Sequence, residues 1–172
     1  IFSDCIHDVI SGCNFTDCRA DDCGGAVVIC HSNDGIIADC NFVNCSSRIH
    51  GGAISWQGII GKLSGCSFVD CYSVEGEGGA IWTECGGLTI EDSQFVRNSA
   101  NDSFGGAIYL LNTTCIDNST FDENRAKGGN AIWADNKTEV SFSSNTFRLA
   151  SGQSRYDLIC GVGEDVLKAN IA

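Results

Sequence analysis

Six phenylalanines recur at Phe15, Phe42, Phe68, Phe95, Phe121 and Phe147, spaced by 27, 26, 27, 26 and 26 residues. A fixed period of that length marks a chain assembled from one repeated supersecondary unit. Other columns keep the same register. Five residues before each Phe stands Ile10, Ile37, Leu63, Ile90, Ile116 or Phe142. Two before come Cys13, Cys40, Cys66, Ser93, Ser119 and Asn145, and three after come Cys18, Cys45, Cys71, Asn98, Asn124 and Ala150. A second signature follows: Gly24-Gly25-Ala26-Val27, Gly51-Gly52-Ala53-Ile54, Gly78-Gly79-Ala80-Ile81, Gly105-Gly106-Ala107-Ile108 and a weakened Gly129-Asn130-Ala131-Ile132.

A helical repeat needs amphipathic runs of ten or more residues, whereas these units carry apolar residues in short groups among Gly, Ser, Asn and Thr. Short strands joined by turns fit, one unit per turn, each strand pairing in parallel with the next at about 4.8 Å. The sequence therefore predicts an all-β fold, a parallel solenoid of about six coils. Its columns become stacks: a Phe stack and an aliphatic stack inside, and an Asn98–Asn124 side-chain ladder between layers. Each Gly-Gly pair provides a corner where the backbone needs φ > 0 or close approach. The chain has no Pro, as suits a coil in which nearly every N–H donates to its neighbour.

The Gly-Gly-Ala-Ile segments, with Phe95-Val96-Arg97-Asn98 and Phe121-Asp122-Glu123-Asn124, resemble the repeats of the chlamydial polymorphic outer-membrane proteins and related β-helix surface proteins. The resemblance covers about residues 10–150 and implies a right-handed parallel β-helix, the pectate-lyase-like solenoid, disulfide-stapled in this chain, and a surface or matrix role in adhesion or architecture. Three copies place Cys18, Cys45 and Cys71 where that family has Asn.

Residues 1–150 read as β-helix repeats and 151–172 as an irregular terminal coil or cap, with Leu158, Ile159, Val162, Val166, Leu167 and Ile171 as its apolar residues. Phe2-Ser3-Asp4-Cys5 repeats the Phe-x-x-Cys motif only 13 residues before Phe15, so the first coil is expected to be short or truncated. The start has no initiator Met or signal peptide, which reads as a mature or excised segment.

Twelve cysteines and six Asn-X-Ser/Thr acceptors, Asn14, Asn44, Asn101, Asn112, Asn118 and Asn136, point to a secreted or cell-surface glycoprotein. Stacked coils bring neighbours in one column within the Cα range of a disulfide. Cys5–Cys18 and Cys45–Cys71 are the simplest pairs in one column; Cys13, Cys40 and Cys66 leave an odd member for Cys23, Cys30, Cys85, Cys115 or Cys160. Disulfide staples are the expected role. No Cys-x-x-Cys pair supports zinc.

Net charge of −12, from 10 basic and 22 acidic residues, argues against nucleic acid and anionic membranes. No apolar stretch approaches the roughly 20 residues that span a bilayer. Asp21-Asp22 followed one coil later by His50-Gly51 resembles segments of polygalacturonase-type glycosidases, which would imply paired carboxylates for inverting hydrolysis. The Asn-Thr-Asp and Arg-Ile-Lys segments that complete that family's site are missing, and Asp21, Asp22 and His50 fall in a variable turn. No calcium repeat occurs, and His7, His31 and His50 share no column, so no metal or cofactor is implied.

If Val27, Ile54, Ile81, Ile108 and Ile132 point inward, alternation turns Trp82, Tyr109 and Trp133 outward on successive coils, an exposed stripe for sugar or a partner. The other possibility is that these aromatics face the core. Asn112 and Asn136 fall on one turn column. Together these features describe an extracellular, glycosylated structural or adhesive module that stacks head-to-tail or meets surface carbohydrate or protein. A carbohydrate-active enzyme or sugar-binding domain is the alternative.

Overall fold

A computed structural model describes residues 1–4, 6–135, 139–154 and 157–161. They form a solenoid of about six turns, wound from four parallel sheets of seven, six, six and five strands, here called A, B, C and D. One turn runs through Ile54–Gln57 in A, Gly61–Ser64 in B, Ser67–Val69 in C and Tyr72–Ser73 in D. Register follows the repeat: Phe68 pairs with Phe42 and Phe95, Leu63 with Ile37 and Ile90, and Ile81 with Ile54 and Ile108.

Register turns columns into stacks. The six phenylalanine rings lie 4.7–5.0 Å apart along the axis, with interplanar angles of 11° or less. Phe42, Phe68 and Phe95 are fully buried, while Phe15 and Phe147 at the ends are half-buried. Each interior ring therefore trades water for a ring on both faces, and the repeated burial holds the turns together.

The two glycines of each signature do different work. The first adopts positive φ, as in Gly51 at 61°. The second has ordinary φ but no room: a Cβ on Gly52 would lie 2.1 Å from the Gly79 carbonyl oxygen and 2.5 Å from that of Tyr72 in sheet D. Asn130 departs from the signature where sheet D ends among the described residues, since Arg125–Gly128 is its last strand there. Its side chain turns back, and Oδ1 accepts from the Ala126 N–H at 2.9 Å.

Polar columns flank the Phe stack. Asn98 Nδ2 donates to the Phe68 carbonyl and to Asn124 Oδ1, both at 3.0 Å, and Asn98 Oδ1 accepts from the Cys71 N–H at 2.9 Å. Cysteine fills the same role one coil earlier, where the Cys71 thiol donates to the Phe42 carbonyl at 3.5 Å. In the other column the Cys13 N–H donates to Cys40 Sγ at 3.4 Å and the Cys66 N–H to Ser93 Oγ at 3.2 Å.

The disulfide expectation is corrected here. Cys13, Cys18, Cys23, Cys30, Cys40, Cys45, Cys66, Cys71, Cys85, Cys115 and Cys160 are all free thiols, so Cys45–Cys71 is not formed. Cys5, and with it Cys5–Cys18, lies outside the described residues. In-register columns displace every atom by one layer, 4.7–5.0 Å as the rings record, whereas a disulfide wants Cβ atoms about 3.5–4.5 Å apart. The Cα criterion alone misses this.

Phe2 does not extend the Phe column. Phe2–Ser3 pairs with Val28 and Ile29 in sheet A, and Phe2 is exposed. At the other end Ile159–Cys160 pairs with Ile132 and Trp133, so the described part of 151–172 continues sheet A, with Leu158 and Ile159 buried. Val162, Val166, Leu167 and Ile171 lie outside the described residues.

Candidate contact surface on the outer face of sheet A

Alternation in sheet A holds as the first of the two sequence readings requires. Val27, Ile54, Ile81, Ile108 and Ile132 are fully buried inside. Val28, Ser55, Trp82, Tyr109, Trp133 and Cys160 form the adjoining outward column in continuous register. Outward is not the same as bare. Trp82 is only 7% exposed, whereas Tyr109 and Trp133 are half-buried.

The covering comes from two of the residues that precede the Gly-Gly corners, His50 and Phe104. The positive φ of the corner glycine folds this column over the aromatic column one layer on. His50 stacks on Trp82 at 4.7 Å and 24°, and Phe104 lies on Trp133 at 4.3 Å and 34°. The exposed stripe is thereby corrected to a partly roofed one, and the roof uses up ring faces that a sugar would need. Tyr109 has no such ring contact among the described residues. Its neighbours are charged: burial, then the carboxylates of Glu77 and Asp135, push its phenol pKa up.

His50 Nδ1 is 2.9 Å from Glu77 Oε2 but out of line for a hydrogen bond, because the ring is turned onto Trp82. Asp21 and Asp22 are exposed and sit beside Arg48 and Ile49, whose Nε and N–H donate to their carbonyls at 2.9 Å. His50 pairs instead with Cys23. Asp21 and Asp22 thus stack on Arg48 and Ile49 of the next coil, at the same corner as His50 but not against its side chain.

Of the glycan acceptors, Asn14, Asn101, Asn112 and Asn118 are exposed and Asn44 is half-buried; Asn136 lies outside the described residues. Asn44 and Asn118 occupy positive-φ corners, and each donates through Nδ2 to the aspartate one coil back, Asp17 and Asp92, at 2.6 Å.

His50, Glu77 and Phe104 were missed as partners of the aromatics because their column changes chemistry at every coil. Their constant position before Gly-Gly was the available signal. The chain matches no protein-family model, no curated protein and no solved structure.

Proposed function

We propose that this chain is an extracellular, glycosylated β-helix module with a structural or adhesive role, in the manner of the surface proteins its repeats resemble, and that the outer face of sheet A is its contact surface. The observation that carries the reading is the unbroken register of six stacked phenylalanines. Such a core gives a stiff stack whose side faces repeat at each layer and can present contacts in line. Head-to-tail association, each terminal coil continuing the sheets of the next copy, belongs to the same proposal.

Surface placement of the described acceptor asparagines supports glycosylation. The thiols add nothing to the extracellular reading, which rests on those acceptors. The enzyme alternative gains no support from the places of Asp21, Asp22 and His50.

The test is expression in a eukaryotic secretory host, with intact mass before and after glycosidase treatment and sedimentation over a concentration series. Added glycan mass and self-association that grows with concentration are expected. A secreted product without glycan overturns the glycoprotein reading, and a strict monomer at high concentration overturns head-to-tail stacking.

A further inference from the structure

Resting on the reading of sheet A as a contact surface, we propose that its ligand is cationic: a Lys- or Arg-rich polypeptide segment that lays basic side chains over Tyr109. The argument starts with which ring is open. Trp82 is covered by His50 and Trp133 by Phe104, whereas Tyr109, between them in register, is half-buried with no ring laid on it. An aromatic face carries negative potential and attracts ammonium or guanidinium groups.

Carboxylates border this ring on two sides. Glu77 stands in the corner column, and Glu84 and Asp135, both exposed, lie just past the ends of the neighbouring strands Ile81–Thr83 and Ile132–Ala134. Glu77 and Asp135 are close enough to bear on the Tyr109 phenol. The chain as a whole carries −12, so an anionic partner is repelled and a cationic one is steered in. On the Trp82 side His50 stands 2.9 Å from the Glu77 carboxylate and sets one margin of the surface. A neutral sugar would use none of this charge.

Cation–π contact at a half-exposed ring is individually modest, so affinity must come from several contacts along the strip. The probe is a short alternating Lys/Arg peptide, with a neutral N-acetylglucosamine oligomer as the competing arm. Binding to the folded protein is measured by calorimetry at low and at physiological ionic strength, before and after glycan removal because Asn112 is nearby.

Expected is salt-sensitive peptide binding that Tyr109→Phe keeps and Tyr109→Leu weakens by about two- to fivefold. Glu77→Gln should weaken it as well, and Asp39→Asn, which removes one charge from the remote B–C corner, should not. Equal losses from Glu77→Gln and Asp39→Asn would show attraction by net charge alone and overturn the site. Sugar binding without peptide binding overturns the cationic assignment and leaves the contact surface standing. Binding of neither probe to the wild type, glycosylated or stripped, overturns the proposed site. Circular dichroism of each variant separates lost binding from lost fold.

Discussion

A Cβ placed on Gly52 would sit 2.1 Å from the carbonyl oxygen of Gly79, its counterpart one coil on. Backbone meets backbone at this point, with no flexible side-chain end to move aside. Gly52→Ala should therefore destabilise the protein by roughly 3 kcal/mol or more. At the end of sheet D the constraint is gone, and Asn130→Gly should cost only about 1 kcal/mol through the lost bond to the Ala126 N–H. Urea unfolding of the two variants compares them directly, and equal losses would contradict the close-approach account.

Asn98 supports three buried groups at once, the Cys71 N–H, the Phe68 carbonyl and Asn124 Oδ1. Replacement by Leu strands the Cys71 N–H and the side-chain contact to the Phe68 carbonyl at about 1–3 kcal/mol each, while Asn124 Oδ1 keeps the residue-98 backbone N–H at 2.9 Å. Cysteine performs the carbonyl contact at Cys71, so Asn98→Cys should be clearly less harmful than Asn98→Leu. Thermal midpoints of the pair measure the difference, and the reverse order would remove the equivalence of thiol and amide in this column.

Burial pushes the Cys66 thiol up to about 12 from 9.0. The folded state then holds the proton more tightly than the unfolded chain does. Its contribution is complete below about pH 9 and is lost as pH rises toward 12. Cys66→Ser places there the hydroxyl that Ser93 and Ser119 already carry in this column, and the variant should lose less stability than wild type across that alkaline window. Parallel urea midpoints over the pH range give the answer; identical slopes would detach the alkaline loss from this thiol.

Free thiols of unequal exposure predict an order of modification. Cys115 is exposed, whereas Cys40, Cys45, Cys66, Cys71 and Cys85 are buried. Under brief iodoacetamide treatment Cys115 should label first and the buried five only on unfolding, as read by peptide mass spectrometry without reductant. Buried cysteines that resist alkylation in denaturant would instead be bonded.

The columns could be read from the chain because each holds one kind of side chain at one spacing. Phe15 to Phe147 and the ladder of Asn98 with Asn124 needed nothing further. The Gly-Gly corner was readable in outline, though not the division between one glycine's φ and the next one's lack of space. Other corners were hidden because Asp17, Asn44, Asp70, Arg97 and Glu123 take positive φ without glycine at that position. Burial of Trp82 depended on His50, whose column runs Cys, His, Glu, Phe and shows no chemical period. Cys45 and Cys71 share a column yet are free thiols, because column assignment says which residues stack and not how closely their side chains approach.

Because every layer rests on the one before through the same backbone pairs, the fold has a built-in unit of growth. Gain or loss of one whole 26- or 27-residue segment would lengthen or shorten the molecule by a single rise of about 4.8 Å, without asking distant parts to readjust. The length of such a body is set by counting copies.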